Sequence, residues 1–170
     1  MQNNKLLVET PTLKRRLFCL VYEAFLVTAV LMLGFLFYSF ISGFLTETAR
    51  LVVSQLVLFA VAGAYFITSW TGSGHTLAMK TWRIKVVKVG YADVPLKAAF
   101  LRYVFAWGWV LPALLVCFAF GIHGKAQIAG AVAIGIVAWA LTAFLDKDRQ
   151  FLHDKLAGTR LISLPKPLKK

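Results

Sequence analysis

Acidic residues are scarce in this chain of 170 residues, which has 7 Asp and Glu against 19 Lys and Arg. In a soluble protein this basic balance would suggest nucleic acid as a partner. Here the basic residues are instead segregated between long apolar runs. Because membrane proteins place their basic residues at the ends of their spans, the pattern indicates a membrane protein and no nucleic-acid partner.

Cysteine is also sparse, and both residues, Cys19 and Cys117, fall inside apolar runs. If the runs cross a membrane in alternating directions, the two thiols lie toward opposite ends and are too far apart for a disulfide. Two thiols at different depths cannot supply the four ligands of a structural metal site. We therefore expect no disulfide, no metal and no cofactor.

The common catalytic motifs are missing as well. There is no Gly-x-Ser-x-Gly, no phosphate-binding loop, no His/Cys ligand spacing and no pair of nearby catalytic carboxylates. Short connections between the apolar runs leave little room for a soluble active site. The sequence therefore predicts that the protein is not an enzyme, and a membrane enzyme that acts on lipid is the least favoured hypothesis.

Four apolar runs are long enough to span about 30 Å of hydrocarbon at roughly 20 residues each. They cover residues 17–40, 51–70, 103–122 and 126–145. The first follows two arginines, as a signal peptide would, but it is too long for a signal-peptide core and no small-residue cleavage site follows it. We expect an all-α membrane protein with four transmembrane helices.

The distribution of Lys and Arg orients these spans. The segments before the first span and after the fourth span, together with the middle connection, carry 17 of the 19 basic residues, and the other two connections carry one each. The positive-inside rule then predicts that both termini are cytoplasmic. The basic side should also favour anionic lipid headgroups. We divide the chain into an N-terminal tail (1–14), a membrane domain (15–163) and a basic C-terminal tail (164–170).

Two short strands are predicted on the cytoplasmic side. Trp82, Ile84 and Val86 alternate with basic residues, which is strand periodicity. After the fourth span, Gly158 ends a short helix and residues 159–163 form a second strand. Because isolated strands leave backbone groups unpaired, we expect segment 83–89 to pair with 159–163.

Small residues and one proline suggest how the spans pack. Spans two and four are rich in Ala and Gly, including the pair Ala131 and Gly135. Because small faces let helices approach closely in lipid, we expect these two spans to form the packed centre of the bundle. Pro112, one turn after Gly108, should kink the third span.

Glu23 interrupts the first apolar run about 10 Å into the helix. A charged carboxylate at that depth costs on the order of 2.5–3.5 kcal/mol, so we expect it to face inward with a partner. Arg16 lies seven residues earlier on the same face, and an ionised Arg16–Glu23 pair is the favoured interpretation. Arg102 and the C-terminal tail are the alternative partners. A carboxylate that binds a transported cation or proton and a structural ion pair that fixes helix register both fit this pattern.

Three segments of the chain together resemble the RDD family of bacterial membrane proteins, named for an Arg and an Asp in its first span and a later Asp. The segments read RRLFCLVYE, SGHTLAMKTWRIKVV with LKAAFLRYV, and FLHDKLAGTRLI, and the resemblance extends over residues 11–163, nearly the whole chain. Arg16 and Asp154 match the family's Arg and later Asp. Glu23 replaces the first-span Asp, His75 replaces the usual Gln, and Ala78 replaces the usual Gly.

The resemblance implies a multi-pass protein of the bacterial inner membrane and a role in transport, with cation or proton exchange suggested for some members. The implied site residues are Arg16, Glu23 and Asp154, with Arg15, His75, Thr76, Arg102, His153, Gly158 and Thr159 as further contributors. His153 and Asp154 are read either as a gate or proton relay or, as favoured, as a turn in which Asp154 is tied to backbone or to an arginine.

Four helices hardly enclose a path, so the transport hypothesis also predicts a homo-oligomer or a membrane complex. The alternative hypothesis is a non-transporting scaffold or accessory subunit of a membrane complex. The two hypotheses differ in whether the purified protein moves ions across a lipid bilayer.

Overall fold

The computed structural model describes residues 9–88, 90–147 and 149–165, so parts of both predicted tails lie outside the described residues. The chain is mostly helical with one small sheet. The elements are α1 (Leu13–Ser42), α2 (Glu47–Gly72), α3 (Leu77–Thr81), β1 (Ile84–Val87), α4 (Leu96–Ala106), α5 (Leu111–Ala119), α6 (Lys125–Leu141), α7 (Leu152–Leu156) and β2 (Arg160–Ser163), with 3-10 turns at Trp107–Trp109 and Thr142–Phe144.

Three helices are long and apolar enough to cross a membrane. They are α1, α2, and α6 with the 3-10 turn that follows it. The helices α4 and α5 form a bent pair at 46°, which makes a fourth span if the pair is counted as one. The apolar side chains of these helices are largely exposed, such as Phe25 at 73% and Phe118 at 85%, as expected for surfaces that contact lipid.

The predicted kink in the third span is confirmed. Pro112 lies at the start of α5, where a missing N–H costs no hydrogen bond inside the helix. The turn before it is close to α6, because a Cβ at Gly108 would lie 2.1 Å from the ring of Trp139. Gly135 likewise lets α6 approach α5, since its Cβ would be 3.1 Å from that of Ala113.

The expected packed centre of spans two and four is wrong. Helix α2 lies between α1 and α4, whereas α6 packs mainly against α5 and the adjoining 3-10 turns. No residue of α6, which the structure describes in full, is buried. Small residues allow close approach to a neighbour but do not specify which neighbour, so composition alone misplaced this helix.

The predicted sheet is confirmed, with one correction at its start. Strand β1 pairs antiparallel with β2, from Ile84 opposite Ser163 to Val87 opposite Arg160. Ile84 and Val86 are buried, as the alternation of apolar and basic residues requires. The strand begins at Ile84 instead of Trp82 because Arg83 has a φ of 54°, in the left-handed region that breaks strand geometry.

Three separate parts of the chain meet at this end of the bundle. The guanidinium of Arg15 donates to the carbonyls of Trp82 and Arg83, at 2.6 and 3.0 Å, and to the hydroxyl of Ser163 at 3.0 Å. The backbone N–H of Ser163 donates to the carbonyl of Glu9 at 2.8 Å. The segment before α1, the middle connection and the end of the described chain therefore share one side.

Most of the fully buried side chains lie at this same end. They include the sheet residues Ile84 and Val86 and, close by, Thr76, Phe151 and Asp154. A small buried core therefore lies at this end of the bundle, and the polar residues Thr76 and Asp154 belong to it.

Candidate functional site

Three buried side chains of α1 share one face of the helix. Arg16, Cys19 and Glu23 are exposed to 2%, 5% and 6%, whereas most of the remaining α1 surface is apolar and exposed. Their spacings of three and four residues place them on one stripe of an α-helix. Helix α1 packs mainly against α2 and α3.

The carboxylate of Glu23 is held by two hydroxyl groups. Tyr65 on α2 donates to Oε1 at 2.7 Å, and Thr76 donates to Oε2. Thr76 is the residue before α3, and its hydroxyl also accepts the backbone N–H of Met79 at 3.2 Å. The start of α3 therefore fixes the Thr76 hydroxyl in front of the carboxylate.

The predicted pair between Arg16 and Glu23 is wrong. No ion pair joins these two residues within the described part of the chain. Seven residues of α-helix separate them by about 10 Å along the axis, so a shared face does not bring their charges into contact. Arg102, the alternative partner, contacts Asp154 instead.

Arg16 lies against an aromatic ring. The carbon at the centre of its guanidinium is 4.4 Å from the centroid of the Phe151 ring, at the start of α7. Its Nε and Nη1 atoms are buried and have no hydrogen-bond partner among the described residues. Within the part of the chain that the structure describes, this guanidinium is therefore a buried cation that no carboxylate contacts.

Asp154 and Arg102 form a buried ion pair between α7 and α4. Their side chains are exposed to 0% and 6%. The guanidinium of Arg102 also lies 4.8 Å from the ring centroid of Trp70 and donates from Nη1 to the hydroxyl of Thr159 at 3.3 Å. Gly158, with a φ of 66°, ends α7 in a left-handed conformation that glycine adopts easily, and so turns Thr159 toward the pair.

His153 packs beside this ion pair. Its Nδ1 accepts the indole N–H of Trp139 at 3.2 Å, and its Nε2 is 3.7 Å from a carboxylate oxygen of Asp154. Burial, followed by the nearby charges of Arg102 and Arg16, lowers the pKa of His153 well below its usual value. The imidazole is therefore neutral, with its proton on Nε2 on the side of Asp154.

The predicted contributors do not gather at one site. Thr76 contacts Glu23, and Thr159, Arg102 and His153 surround Asp154. Arg15, in the first turn of α1, instead ties that helix to the sheet and to the turn before it. His75 is half-buried, and its side chain makes no hydrogen bond within the described residues.

Two contributors were missed from the sequence. Tyr65 is a polar side chain in an apolar run, and that signal could have marked it as a partner of Glu23. Trp139 gave no such signal, because its contact with His153 joins two elements whose packing the sequence does not specify. Among the described residues, no group of three or more His, Cys, Asp or Glu could hold a metal ion.

Comparison with known proteins gives one match. A family model described as the RDD family matches residues 10–158, which is most of the chain. No curated protein and no solved structure matches the sequence.

Proposed function

The chain belongs to the RDD family, and from its buried carboxylate we propose that it is a small membrane transporter that exchanges cations or protons at Glu23. One observation carries this proposal. Glu23 is exposed to only 6% within a membrane-spanning helix, and its partners among the described residues are the hydroxyl groups of Tyr65 and Thr76. An ionisable residue inside a membrane is by default a functional-site hypothesis, and Glu23 has no cationic partner among the described residues.

Hydroxyl partners suit a carboxylate that changes its charge. A hydroxyl group both donates and accepts hydrogen bonds, so Tyr65 and Thr76 can serve Glu23 in its ionised and in its protonated form. An arginine partner would instead hold the carboxylate ionised. Carboxylate and hydroxyl oxygens are also hard ligands of the kind that hard metal cations prefer. Glu23 can therefore exchange a proton for a cation while the hydroxyl groups of Tyr65 and Thr76 remain in contact with it.

The Asp154 site has a structural role in this proposal. Its pair with Arg102 fixes α7 against α4, and the same segment continues into β2. This geometry supports the interpretation of Asp154 as a residue tied to an arginine. We assign the exchange to Glu23 and the positioning of the cytoplasmic core to Asp154.

We place the protein in the inner membrane of a bacterial cell, with both termini in the cytoplasm. The support is the charge distribution, because 17 of the 19 basic residues belong to segments on one side. A cysteine introduced at Thr48 or Gly124 should react with an impermeant thiol reagent from outside the cell. Outside labelling of a cysteine at Ser73 would contradict this orientation.

The transporter should act as a homo-oligomer or within a membrane complex, surrounded by anionic lipid headgroups. A single copy has three spans and one bent pair, and α6 has no buried residue. Such a bundle hardly encloses a path by itself. Crosslinking in native membranes, with cysteines on α6, should therefore give products larger than the monomer.

Ion flux in liposomes tests the proposed activity. The purified protein should move protons against Na⁺, K⁺ or Li⁺ across the bilayer, as read from a pH-sensitive dye trapped inside. Glu23→Gln should abolish this flux while the folded amount stays near wild type. The exposed carboxylate Glu47 offers a matched control, and Glu47→Gln should retain the flux.

The alternative function is a scaffold or accessory subunit that transports nothing. A folded protein that moves none of these ions, and that loses stability in proportion to any effect of Glu23→Gln, would favour it. We do not propose an enzymatic activity.

A further inference from the structure

Arg16 differs from Arg15 and Arg102, two arginines at the same end of the bundle. Arg15 donates to three oxygen atoms at 2.6–3.0 Å, and Arg102 is paired with Asp154. Arg16 is exposed to only 2%, yet its Nε and Nη1 atoms have no acceptor among the described residues. Its positive charge has no counterion there.

A buried charge needs more than hydrogen bonds. Water molecules could accept hydrogen bonds from the Arg16 nitrogens, but water carries no net charge and leaves the cation unneutralised. Burial of an ionised group without a partner of opposite charge is among the most costly arrangements in a folded protein. A bound anion would both accept the hydrogen bonds and neutralise the charge.

The surroundings of Arg16 favour an anion over a cation. The carboxylate of Asp154 is already paired with Arg102, and Glu23 lies two turns further along α1 with its own hydroxyl partners. His153 is neutral, and Arg149 is close enough to repel Arg16. Arg16 is also the fourth residue of α1, near the positive end of the helix dipole.

The ring of Phe151 restricts how a ligand can approach. It covers one face of the guanidinium at 4.4 Å, so an acceptor must come in the plane of the group, where the N–H bonds point. A planar guanidinium with free N–H groups binds carboxylate and phosphate oxygens better than it binds a spherical ion.

We propose that Arg16 is an oxyanion-binding site, formed between α1 and the start of α7, for a ligand with a carboxylate or phosphate group. The phosphate chemistry has two sources, free phosphate in solution and the headgroup of a lipid. The site is separate from Glu23, so this proposal does not depend on the transport function.

Thermal unfolding of the purified, delipidated protein tests the site. The midpoint is followed while inorganic phosphate or acetate is titrated at constant ionic strength, with sodium chloride as the balancing salt. The wild type should show a saturable rise of roughly 5–10 °C at 100-fold excess over Kd for at least one of the two oxyanions. Arg16→Gln should lose this rise, and Arg16→Lys, which keeps the charge but not the planar fork, should weaken binding at least several-fold.

Arg15→Gln is the matched control. Arg15 is the neighbouring arginine, but its donors already have acceptors, so the variant should keep the saturable response from a lower starting midpoint. If Arg16→Gln does not fold, binding of radiolabelled phosphate and acetate by equilibrium dialysis to wild type, Arg16→Lys and Arg15→Gln gives the same comparison.

A second arm separates the two sources of phosphate. Native mass spectrometry of wild type and Arg16→Lys, each purified with retained lipid, should show an additional phospholipid on the wild type if the ligand is a headgroup. A free ligand would instead give the phosphate or acetate response in delipidated protein with no difference in retained lipid. If the wild type shows neither a saturable oxyanion response nor an additional lipid, or if chloride alone produces the same rise, the proposal is wrong.

Discussion

Glu23 and Asp154 are both buried carboxylates, exposed to 6% and 0%, but they have different partners. Asp154 is paired with the guanidinium of Arg102, whereas Glu23 accepts hydrogen bonds from the hydroxyls of Tyr65 and Thr76. Burial is therefore common to the two sites, and the chemistry of the partner distinguishes them. A fixed cation keeps a carboxylate ionised, while hydroxyl groups accommodate either charge state.

The two sites also differ in their place in the fold. Asp154 lies in α7, a helix of five residues outside the spans, and its pair with Arg102 connects that helix to α4. Glu23 lies within the first span, between α2 and α3. The paired site thus connects elements at the sheet end of the bundle, and the unpaired site lies within a helix long and apolar enough to cross a membrane.

The largest expected effect comes from breaking the Asp154 pair. Asp154→Asn or Arg102→Gln leaves the other charge buried without a partner, which should destabilise the protein by about 3–5 kcal/mol. The double variant should be less damaged than the sum of the two single variants. The measurement is the free energy of unfolding in detergent.

The exposed pair between Lys155 and Asp146 provides the control for this experiment. Its N–O distance is 3.0 Å, but the Lys155 side chain is 63% exposed. Lys155→Gln should therefore change stability by no more than about 1 kcal/mol. Equal losses for the buried and the exposed pair would contradict the structural role of Asp154.

Removal of one hydroxyl partner of Glu23 should have a smaller effect, and its size reports the charge of the carboxylate. Tyr65→Phe removes the hydrogen bond of 2.7 Å to Oε1. The loss should be about 1.5–3 kcal/mol where Glu23 is ionised and about 0.5–1.5 kcal/mol where it is neutral. Unfolding free energies at several pH values distinguish the two cases. Tyr22→Phe, at an exposed tyrosine of α1, should leave stability unchanged.

The stability of the protein should also depend on pH through His153, which packs beside Asp154. Because the folded protein lowers the pKa of His153, the unfolded chain takes up a proton near pH 6.5 that the folded protein does not. Stability is therefore complete above that pH and should fall by about 1.4 kcal/mol per pH unit below it, until the lower pKa of the folded state is reached. His153→Gln should remove this slope, and the same change at the exposed His123 should keep it.

The smallest effect is expected at Glu23 itself. In Glu23→Gln the amide can still accept from one hydroxyl group and donate to the other, so we expect a loss of stability within about 1 kcal/mol. Unfolding of this variant beside Asp154→Asn compares the two carboxylates directly. A loss as large as that of Asp154→Asn would show that Glu23 also depends on its negative charge for folding.

The sequence by itself determined which segments are long and apolar enough to cross a membrane and which segments share a side. Apolar runs of about 20 residues leave a membrane helix as the simplest structure, and alternating residues predict a strand, because both signals are local and depend on burial alone. Pro112 similarly set the position of the kink, since its missing N–H acts within its own turn.

Only the tertiary structure decided which groups meet. Glu23 is 42 residues from Tyr65 and 53 from Thr76, and Arg102 is 52 residues from Asp154, so no local pattern joins these partners. The helical face shared by Arg16 and Glu23 was a correct geometric signal, but it could not show that other elements bring hydroxyl groups closer to the carboxylate. Which partner a buried charge acquires depends on how the helices pack, because hydrogen bonds and ion pairs act over only a few ångströms.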